Sequence, residues 1–135
     1  MKIIVCLDDR EGMTFNHRRQ SRDRVVTADI VREAGERLRM CPYSESLFLE
    51  TAMEKLVSEN FLDEARAEDW CFVENRALAP YRDSIGEVLV YRWNRHYPSD
   101  TTFDLNLVSE GFRLAEREEF EGYSHEKITK ERFIK

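Results

Sequence analysis

The residues with the most distinctive chemistry lie in one nine-residue segment, 16–24, with the sequence Asn-His-Arg-Arg-Gln-Ser-Arg-Asp-Arg. Its four arginines stand against a single acid. Guanidinium groups pair bidentately with carboxylates and phosphates, and a helix that starts at the end of this segment would add partial positive charge. The segment therefore predicts a site for a small anion, held by Asn16, Arg18, Arg19 and Arg22. The alternative is a solvated loop whose arginines pair with surface carboxylates.

Other polar side chains lie next to the ends of predicted strands, where open α/β sheets bind their ligands. Asp9 follows the first apolar run, and Glu74 and Asn75 follow a later one. Tyr43 and Ser44 belong to a turn between these runs. We expect all five side chains to line the same cleft as the arginines; for the acids, hydrogen bonding within a turn is the alternative.

Asp23 is the candidate catalytic residue, as a general acid/base or as the anchor of a ligand. It could equally be a helix N-terminal acid, which stabilises the helix dipole by about 0.3–1 kcal/mol. Ser124 and His125 are neighbours that suggest a nucleophile and its base. Adjacent side chains on an extended segment point to opposite faces, so we expect a turn role for them. The aromatic residues around His96 would suit either the stacking of a base or ordinary core packing.

The spacing of the cysteines and histidines indicates no metal site. Cys6, Cys41 and Cys71 are widely separated, and no Cys-x-x-Cys motif is present, which excludes a zinc knuckle and a thioredoxin-type redox pair. We expect three thiols that pack as small hydrophobic groups. The His-x-His-x-Asp-His pattern of metal-dependent hydrolases of the β-lactamase type is also missing.

Length and charge limit the class of protein. The 135 residues suit one domain, 1–135, and 41% hydrophobic residues are enough for a core. The 21 basic and 27 acidic residues give a net charge of −6, which makes general nucleic-acid binding improbable. No run approaches the roughly 18 apolar residues of a membrane span, and no apolar leader follows the start. We therefore expect a cytoplasmic protein whose partner is a small anionic molecule or another protein.

The hydrophobic pattern predicts the strands and helices that would position these residues. The apolar run Lys2–Leu7 predicts a central strand buried on both faces, and Gly12 to Gln20 suggests a loop. Helical spacing predicts a helix over Val25–Ala34 that ends at Gly35. Leu38 and Met40 suggest a short second strand.

The second half of the chain alternates in the same way. Ser44 is a plausible N-cap for a helix with the stripe Leu47, Phe48, Ala52 and Leu56. Three kinds of element follow: strands at Trp70–Val73 and Val88–Trp93, a short helix within Arg76–Ile85, and a pair of strands at Phe112–Phe120 and Ile128–Ile134. This order predicts a single-domain α/β fold, a mixed sheet with flanking helices and a C-terminal antiparallel hairpin.

Several of these segments resemble the dihydrofolate reductase family. The opening strand followed by Asp-Arg-Glu-Gly-Met, residues 9–13, is similar to that family's first strand and mobile loop. The resemblance places Asp23 at the family's active-site carboxylate, which holds the pteridine ring. It places 38–44 at the second strand and a Gly-Arg-x-Thr turn, and 71–76 at the end of a strand that leads into a glycine-rich phosphate loop. Residues 88–103 would match the strand before the last hairpin.

The cofactor motifs of that family are missing. Glu74 and Asn75 stand where the phosphate loop has glycines, which let backbone N–H groups approach a diphosphate closely. Cys41-Pro42-Tyr43-Ser44 replaces the Gly-Arg-x-Thr turn, so its phosphate-pairing arginine is lost. NADPH is therefore improbable, and we expect no cofactor.

A second resemblance is closer and carries less chemistry. The 16–24 segment and the ending near 124–129 are similar to a group of small uncharacterised bacterial proteins, some of which carry the name ribonuclease Z. The predicted function is binding of a small anionic or nucleotide-like ligand in a cleft at the carboxyl ends of the strands. The alternatives are a non-catalytic interaction module of a mobile element and an RNA-directed hydrolase.

Overall fold

The computed structural model describes residues 1–135, which form ten strands and two α-helices. In chain order these are β1 (Lys2–Leu7), β2 (Gly12–Phe15), β3 (Arg18–Arg19), α1 (Arg24–Ala34), β4 (Arg37–Met40), β5 (Glu54–Val57), α2 (Phe61–Glu64), β6 (Trp70–Phe72), β7 (Glu87–Arg92), β8 (Thr101–Thr102), β9 (Arg113–Phe120) and β10 (Ile128–Ile134). Two 3₁₀ segments cover Pro42–Phe48 and Ala79–Ser84.

A seven-stranded mixed sheet forms the centre, with the strand order β5-β4-β6-β1-β7-β10-β9. The first five strands in that order are parallel, and β10 and β9 complete the sheet as an antiparallel hairpin. The predicted α/β fold with a C-terminal hairpin is therefore confirmed. β2, β3 and β8 form a separate three-stranded sheet.

Strand β1 lies between two apolar layers. Ile3 and Val5 pack into one layer and Ile4 into the other, and all three are fully buried. Alternate side chains of a strand point to opposite faces, so an unbroken apolar run suits a strand covered on both faces. The run Lys2–Leu7 had predicted this position, which the structure confirms.

Helix α1 covers one face of the sheet and begins at a polar cap. The Asp23 carboxylate accepts from the backbone N–H groups of Val25 and Val26. The helix stops at Gly35, whose φ of 76° is a conformation that glycine adopts without strain. Its buried residues are Val26 and Ile30. Sequence spacing predicted this helix to within one residue. No helix of the protein has the length and apolar character that crossing a membrane requires.

Three predicted elements were wrong in part. The segment 12–20 was predicted as a loop, but it contains the β2–β3 hairpin. The helix predicted from Ser44 is a 3₁₀ segment that starts earlier, at Pro42, and Glu54–Val57 is a strand. The Ser44 hydroxyl is buried and donates to Glu74, so it cannot cap a helix. The predicted helix within 76–85 is the 3₁₀ segment Ala79–Ser84.

The edge hairpin is held to α1 by charge. The Lys130 ammonium is buried and pairs with Asp29 at 2.7 Å and with Glu33. Arg132 reaches Glu33 at 2.8 Å and Glu87 at 2.5 Å. β9 is exposed along almost its full length. Its charged side chains suit an open edge strand, because charge discourages pairing with a further strand.

Candidate functional site

Arg19 is paired inside the protein. Its Nε donates to Glu74 Oε2 at 2.8 Å and its second terminal nitrogen donates to Glu74 Oε1 at 3.0 Å. β3 carries Arg19, and the chain places Glu74 just after β6 ends. The side chains are only 18% and 8% exposed, so this bidentate pair is largely withdrawn from water.

The turn after β4 completes this ion-pair cluster. Ser44 Oγ donates to Glu74 Oε1 at 2.7 Å, and the Tyr43 hydroxyl accepts from the Arg19 backbone N–H at 2.9 Å. The Arg19 guanidinium also lies over the Tyr43 ring, 4.6 Å from its centre. Asn75 lies beside it, with its side-chain oxygen 3.7 Å from Cys41 Sγ. The arginine segment and the Glu74–Asn75 turn therefore meet, and an internal ion pair closes the space between them.

Asp23 is surrounded by donors of its own chain. Oδ1 accepts from Val25 N at 2.9 Å and from Tyr123 N at 2.9 Å. Oδ2 accepts from Ser124 N at 2.8 Å and from His125 Nδ1 at 2.8 Å. These bonds hold the pKa of Asp23 well below its usual range, with the His125 bond the largest favourable contribution against the desolvation that opposes it. The carboxylate is ionised at neutral pH and its oxygens are occupied.

Gly122 permits this arrangement because it approaches the carboxylate closely. A Cβ at this position would lie 2.7 Å from Asp23 Oδ2 and 3.0 Å from the His125 carbonyl oxygen. Real Cβ atoms essentially never show the first distance, and the second is tighter than most of their contacts. Glycine at the start of the 122–125 loop therefore allows the loop to lie close over Asp23 without displacing the carboxylate.

His125 connects Asp23 to two hydroxyl groups. Its Nε2 lies 3.0 Å from Ser21 Oγ and 3.1 Å from the Tyr97 hydroxyl. Because Nδ1 faces the ionised Asp23 carboxylate, the hydrogen-bond network assigns the ring proton to Nδ1 and leaves Nε2 as an acceptor. The ring stacks on Trp93 with 4.6 Å between centres and is buried. Ser21, His125 and Asp23 thus form a hydroxyl–imidazole–carboxylate series.

A cavity of about 620 Å³ lies beside the N-terminus of α1. Its cationic side chains are Arg22 and Arg24, and Glu50 is its one acid besides the occupied Asp23. The remaining wall comes from α1, from the chain after Pro42 and from the 122–125 loop: Thr27, Ala28, Ser46, Leu47, Leu49, Thr51, Tyr123 and Ser124. Neither arginine makes an ion pair, and the Arg24 guanidinium lies 4.3 Å from the centre of the Tyr123 ring.

The predicted site residues therefore occupy separate places. Arg19, Tyr43, Ser44, Glu74 and Asn75 form the ion-pair cluster, while Arg22 and Asp23 line the cavity beside α1. Asn16 and Arg18 line a smaller hollow of about 430 Å³ with Arg19 and Tyr97. Asp9 is exposed beyond β1, and its buried neighbour Asp8 instead closes the turn by accepting from Gly12 N at 2.7 Å.

Comparison with solved structures agrees with this architecture. The chain has a dihydrofolate reductase-like fold. It superimposes on dihydrofolate reductase from Enterococcus faecalis, solved with NADP(H) and RAB-propyl, with a TM-score of 0.69. The match covers 98% of this chain and 94% of that one at 6% sequence identity, so it supports the fold alone. No protein-family model matches the chain, and no curated protein matches it by sequence.

Sequence reasoning missed three of the residues that the structure gathers. Ser21 lies inside the arginine segment, and nothing in the neighbouring sequence distinguishes its hydroxyl. His125 was paired in that reasoning with its neighbour Ser124, whereas its Nε2 faces Ser21, 104 positions away. Tyr97 was grouped with His96, which is exposed. No sequence signal joins these positions, because the contacts depend on how the last loop folds over α1.

Metal-ligating residues are not gathered anywhere in the chain. No three His, Cys, Asp or Glu side chains lie in an arrangement that could hold a metal ion. Cys41 and Cys71 are buried and unpaired, and Cys6 is partly covered. Burial raises the pKa of Cys71 to about 12. Burial of Cys41 and Cys71 suits thiols that pack as small hydrophobic groups.

Proposed function

We propose that the protein binds a small organic anion in the cavity beside the N-terminus of α1. The observation that carries this proposal is a pair of arginines, Arg22 and Arg24, that line the cavity without an ionic partner. Arg19, from the same segment, already pairs with Glu74 through two hydrogen bonds. An anion in the cavity would supply the missing partners.

Apolar groups in the same cavity support an organic ligand rather than a bare inorganic ion. Leu49 and Tyr123 are each 67% exposed, which is unusual for side chains of their size. The Tyr123 ring is already stacked by Arg24, so a flat ring could extend that stack. A nucleotide-like molecule combines a flat ring with a negative group, and it is the ligand class that we favour.

Our proposal includes no dinucleotide cofactor. At the turn after β6 a diphosphate would meet the Glu74 carboxylate, which is held in place by Arg19 and Ser44. The turn also contains no glycine that would let backbone N–H groups come close to phosphate oxygens. These residues do not fit a dinucleotide, so any chemistry at the cavity would rely on the side chains of this chain.

A thermal-shift series would test the proposal. We expect at least one mononucleotide or aromatic carboxylate to raise the melting temperature of the wild-type protein, since a ligand that binds only the folded state stabilises it. The double variant Arg22→Gln/Arg24→Gln should lose the shift. Arg113→Gln removes an exposed arginine at the start of β9 and should keep it.

A further variant locates the ligand. Arg18→Gln alters the smaller hollow with Asn16 and should leave the shift unchanged. Loss of the shift in Arg18→Gln, with retention in Arg22→Gln/Arg24→Gln, would move the site to that hollow. The absence of a shift for every anion in the wild-type protein would overturn the proposal.

A further inference from the structure

Ser21, His125 and Asp23 stand in the order that activates a serine hydroxyl. Ser21 Oγ lies 3.0 Å from His125 Nε2, and the opposite ring nitrogen lies 2.8 Å from Asp23 Oδ2. We propose that Ser21 is a nucleophile and that the protein catalyses acyl transfer to water, with His125 as the general base and Asp23 as the group that orients it. A catalytic series of this kind is recognised by geometry and role rather than by order along the chain.

Hydrogen bonds as well as packing fix the position of the His125 imidazole. Asp23 cannot rotate away, because backbone N–H groups from α1 and from the 122–125 loop bind both of its oxygens. Trp93 stacks on one face of the ring and restricts its tilt. The Asp23 charge fixes the proton on Nδ1 and would stabilise the imidazolium that forms when Nε2 takes a proton.

Tyr97 provides a built-in competitor. Its hydroxyl lies 3.1 Å from the same Nε2 and 3.5 Å from Ser21 Oγ. A neutral imidazole nitrogen has one lone pair in the ring plane, so only one of the two hydroxyls can donate to it fully at a time. When the Tyr97 hydroxyl donates to Nε2, Ser21 is not activated, and Tyr97 therefore limits the reactivity of Ser21.

Ser21 itself lines neither of the two openings described above, but its neighbours in the chain do. Its neighbour Gln20 lines the smaller hollow and its neighbour Arg22 lines the cavity beside α1. Ser21 itself is only partly covered, whereas His125 is buried behind it. The backbone N–H groups of Ser21 and Arg22 donate no hydrogen bond within the protein, and they are the donors that we assign to a developing oxyanion.

The proposed reaction has two balanced steps. Ser21 Oγ attacks the carbonyl carbon of a carboxylic ester and passes its proton to His125 Nε2; the alcohol leaves as the C–O bond breaks and takes that proton. Water then attacks the acyl-serine, His125 accepts its proton, and the Ser21–acyl bond breaks as the proton returns to Ser21 Oγ. The products are an alcohol and a carboxylic acid, and the reaction needs no oxidant or cofactor.

Charges near Ser21 indicate the class of ester. Arg22 follows Ser21 directly in the chain and lines the cavity beside α1 together with Arg24, so the ester class that we favour carries a separate carboxylate or phosphate. This part of the inference depends on the anion site proposed above. The nucleophilic character of Ser21 does not depend on it, because it follows from the contacts with His125.

A neutral alkyl fluorophosphonate tests the nucleophile separately from the anion site. The wild-type protein should form one covalent adduct with loss of fluoride, and peptide mass spectrometry should place it on Ser21. Ser21→Ala should show no adduct, while Ser109→Ala, which removes an exposed serine from the turn before β9, should react as the wild type does. Tyr97→Phe should react at least as fast as the wild type, because Ser21 then has Nε2 to itself.

A cysteine variant gives a second readout. Ser21→Cys places a thiol beside His125, where thiolate formation is favoured, so iodoacetamide should modify it much faster than the buried Cys41 and Cys71. Adducts on another serine would overturn the inference. It would also be overturned if the wild-type protein stayed unlabelled and Ser21→Cys reacted no faster than the buried thiols. Labelling of Ser21 without any anion-induced thermal shift would leave the nucleophile standing and remove the anion site. An anion-induced thermal shift without labelling of Ser21 would leave the anion site standing and remove the nucleophile.

Discussion

Two sites built from the same nine-residue segment have opposite character. At the ion-pair cluster, Arg19 donates two hydrogen bonds to Glu74, and Ser44 donates a third to Oε1 of the same carboxylate. At the second site Arg22 and Arg24 have no ionic partner and face a cavity. One site is closed by an internal ion pair, and the other is an open cavity whose cations are unpaired.

The difference shows that residue type alone does not decide a role. Both sites contain arginine, and in both a serine hydroxyl lies at hydrogen-bond distance from a carboxylate. In the ion-pair cluster the Glu74 carboxylate binds the Arg19 guanidinium, so neither charge is left to bind a ligand. In the second site the carboxylate, Asp23, is occupied by backbone N–H groups and His125, so the nearby cations stay unpaired.

The largest expected effect comes from removing Asp23. Asp23→Ala withdraws the cap of α1 and leaves His125 and two N–H groups of the last loop without an acceptor. We expect a loss of about 3–5 kcal/mol in the free energy of unfolding, measured in urea. Asp100→Ala removes one exposed acceptor, for Asn16 N, and should cost about 1 kcal/mol or less. Equal losses would contradict a central role for Asp23.

Acid should weaken the same site. The folded-state pKa of Asp23 lies below its ordinary value, mainly through the His125 bond acting against desolvation. The carboxylate therefore contributes stability that is complete above about pH 4 and is lost as the pH falls toward the folded-state pKa. Urea unfolding at pH 6 and pH 3 should show a smaller difference in Asp23→Asn than in the wild type. The same difference in both proteins would show that Asp23 does not contribute.

Breaking the ion-pair cluster should have the next largest effect. Glu74→Gln leaves the largely buried Arg19 guanidinium without its counter-charge, which should cost about 2–4 kcal/mol. Glu59→Gln is the matched control because Glu59 also pairs with an arginine, Arg76, but is 72% exposed. Its cost should stay below about 1 kcal/mol. Chemical denaturation of both variants measures the contrast between a buried and an exposed pair.

Glycine substitutions test the close approach over Asp23. Gly122→Ala places a Cβ 2.7 Å from Asp23 Oδ2 and should cost about 1–3 kcal/mol. At Gly86 a Cβ meets nothing within 4 Å, so Gly86→Ala should change stability by less than about 1 kcal/mol. The melting temperatures of Gly122→Ala and Gly86→Ala measure the difference in stability between the two variants. An equally harmless Gly122→Ala would mean that the loop can retreat from Asp23.

Arg22→Gln should have the smallest effect on stability. This exposed side chain has no ionic partner, so the free energy of unfolding should change by no more than about 0.5 kcal/mol. Arg19→Gln, from the same segment, should cost more because it leaves Glu74 buried without its cation. Denaturation curves that ranked the two arginines in the reverse order would invalidate the distinction between the closed and the open site.

Local patterns predicted much of the fold. The apolar run of β1, the helical spacing of α1 with Gly35 after it, and the late pair of strands were all assigned correctly. Errors came where a tertiary contact overrode a local preference. Ser44 is a good N-cap by residue type, but its hydroxyl donates to Glu74, and the 3₁₀ segment begins at Pro42 instead.

The candidate sites were less predictable than the fold. The 16–24 segment and Asp23 stood out by composition, yet composition could not tell that Arg19 would be paired and Arg22 unpaired. For His125, local sequence indicates only its neighbour Ser124 as a partner, and that spacing predicts a turn role. Its contacts with Asp23 and Ser21 span 102 and 104 positions, and no local spacing rule reaches that far.

By itself, the sequence determined that β1, β6 and β7 are buried strands, where α1 starts and ends, and that cationic groups cluster after β1. Hydrophobic period and capping are local properties, so neighbouring residues suffice to specify them. Only the tertiary structure decided which arginine is neutralised and which serine meets His125. Charge pairing and hydroxyl activation depend on distances of about 3 Å between residues far apart in the chain, and those distances exist only after the sheet and its last loop have folded together.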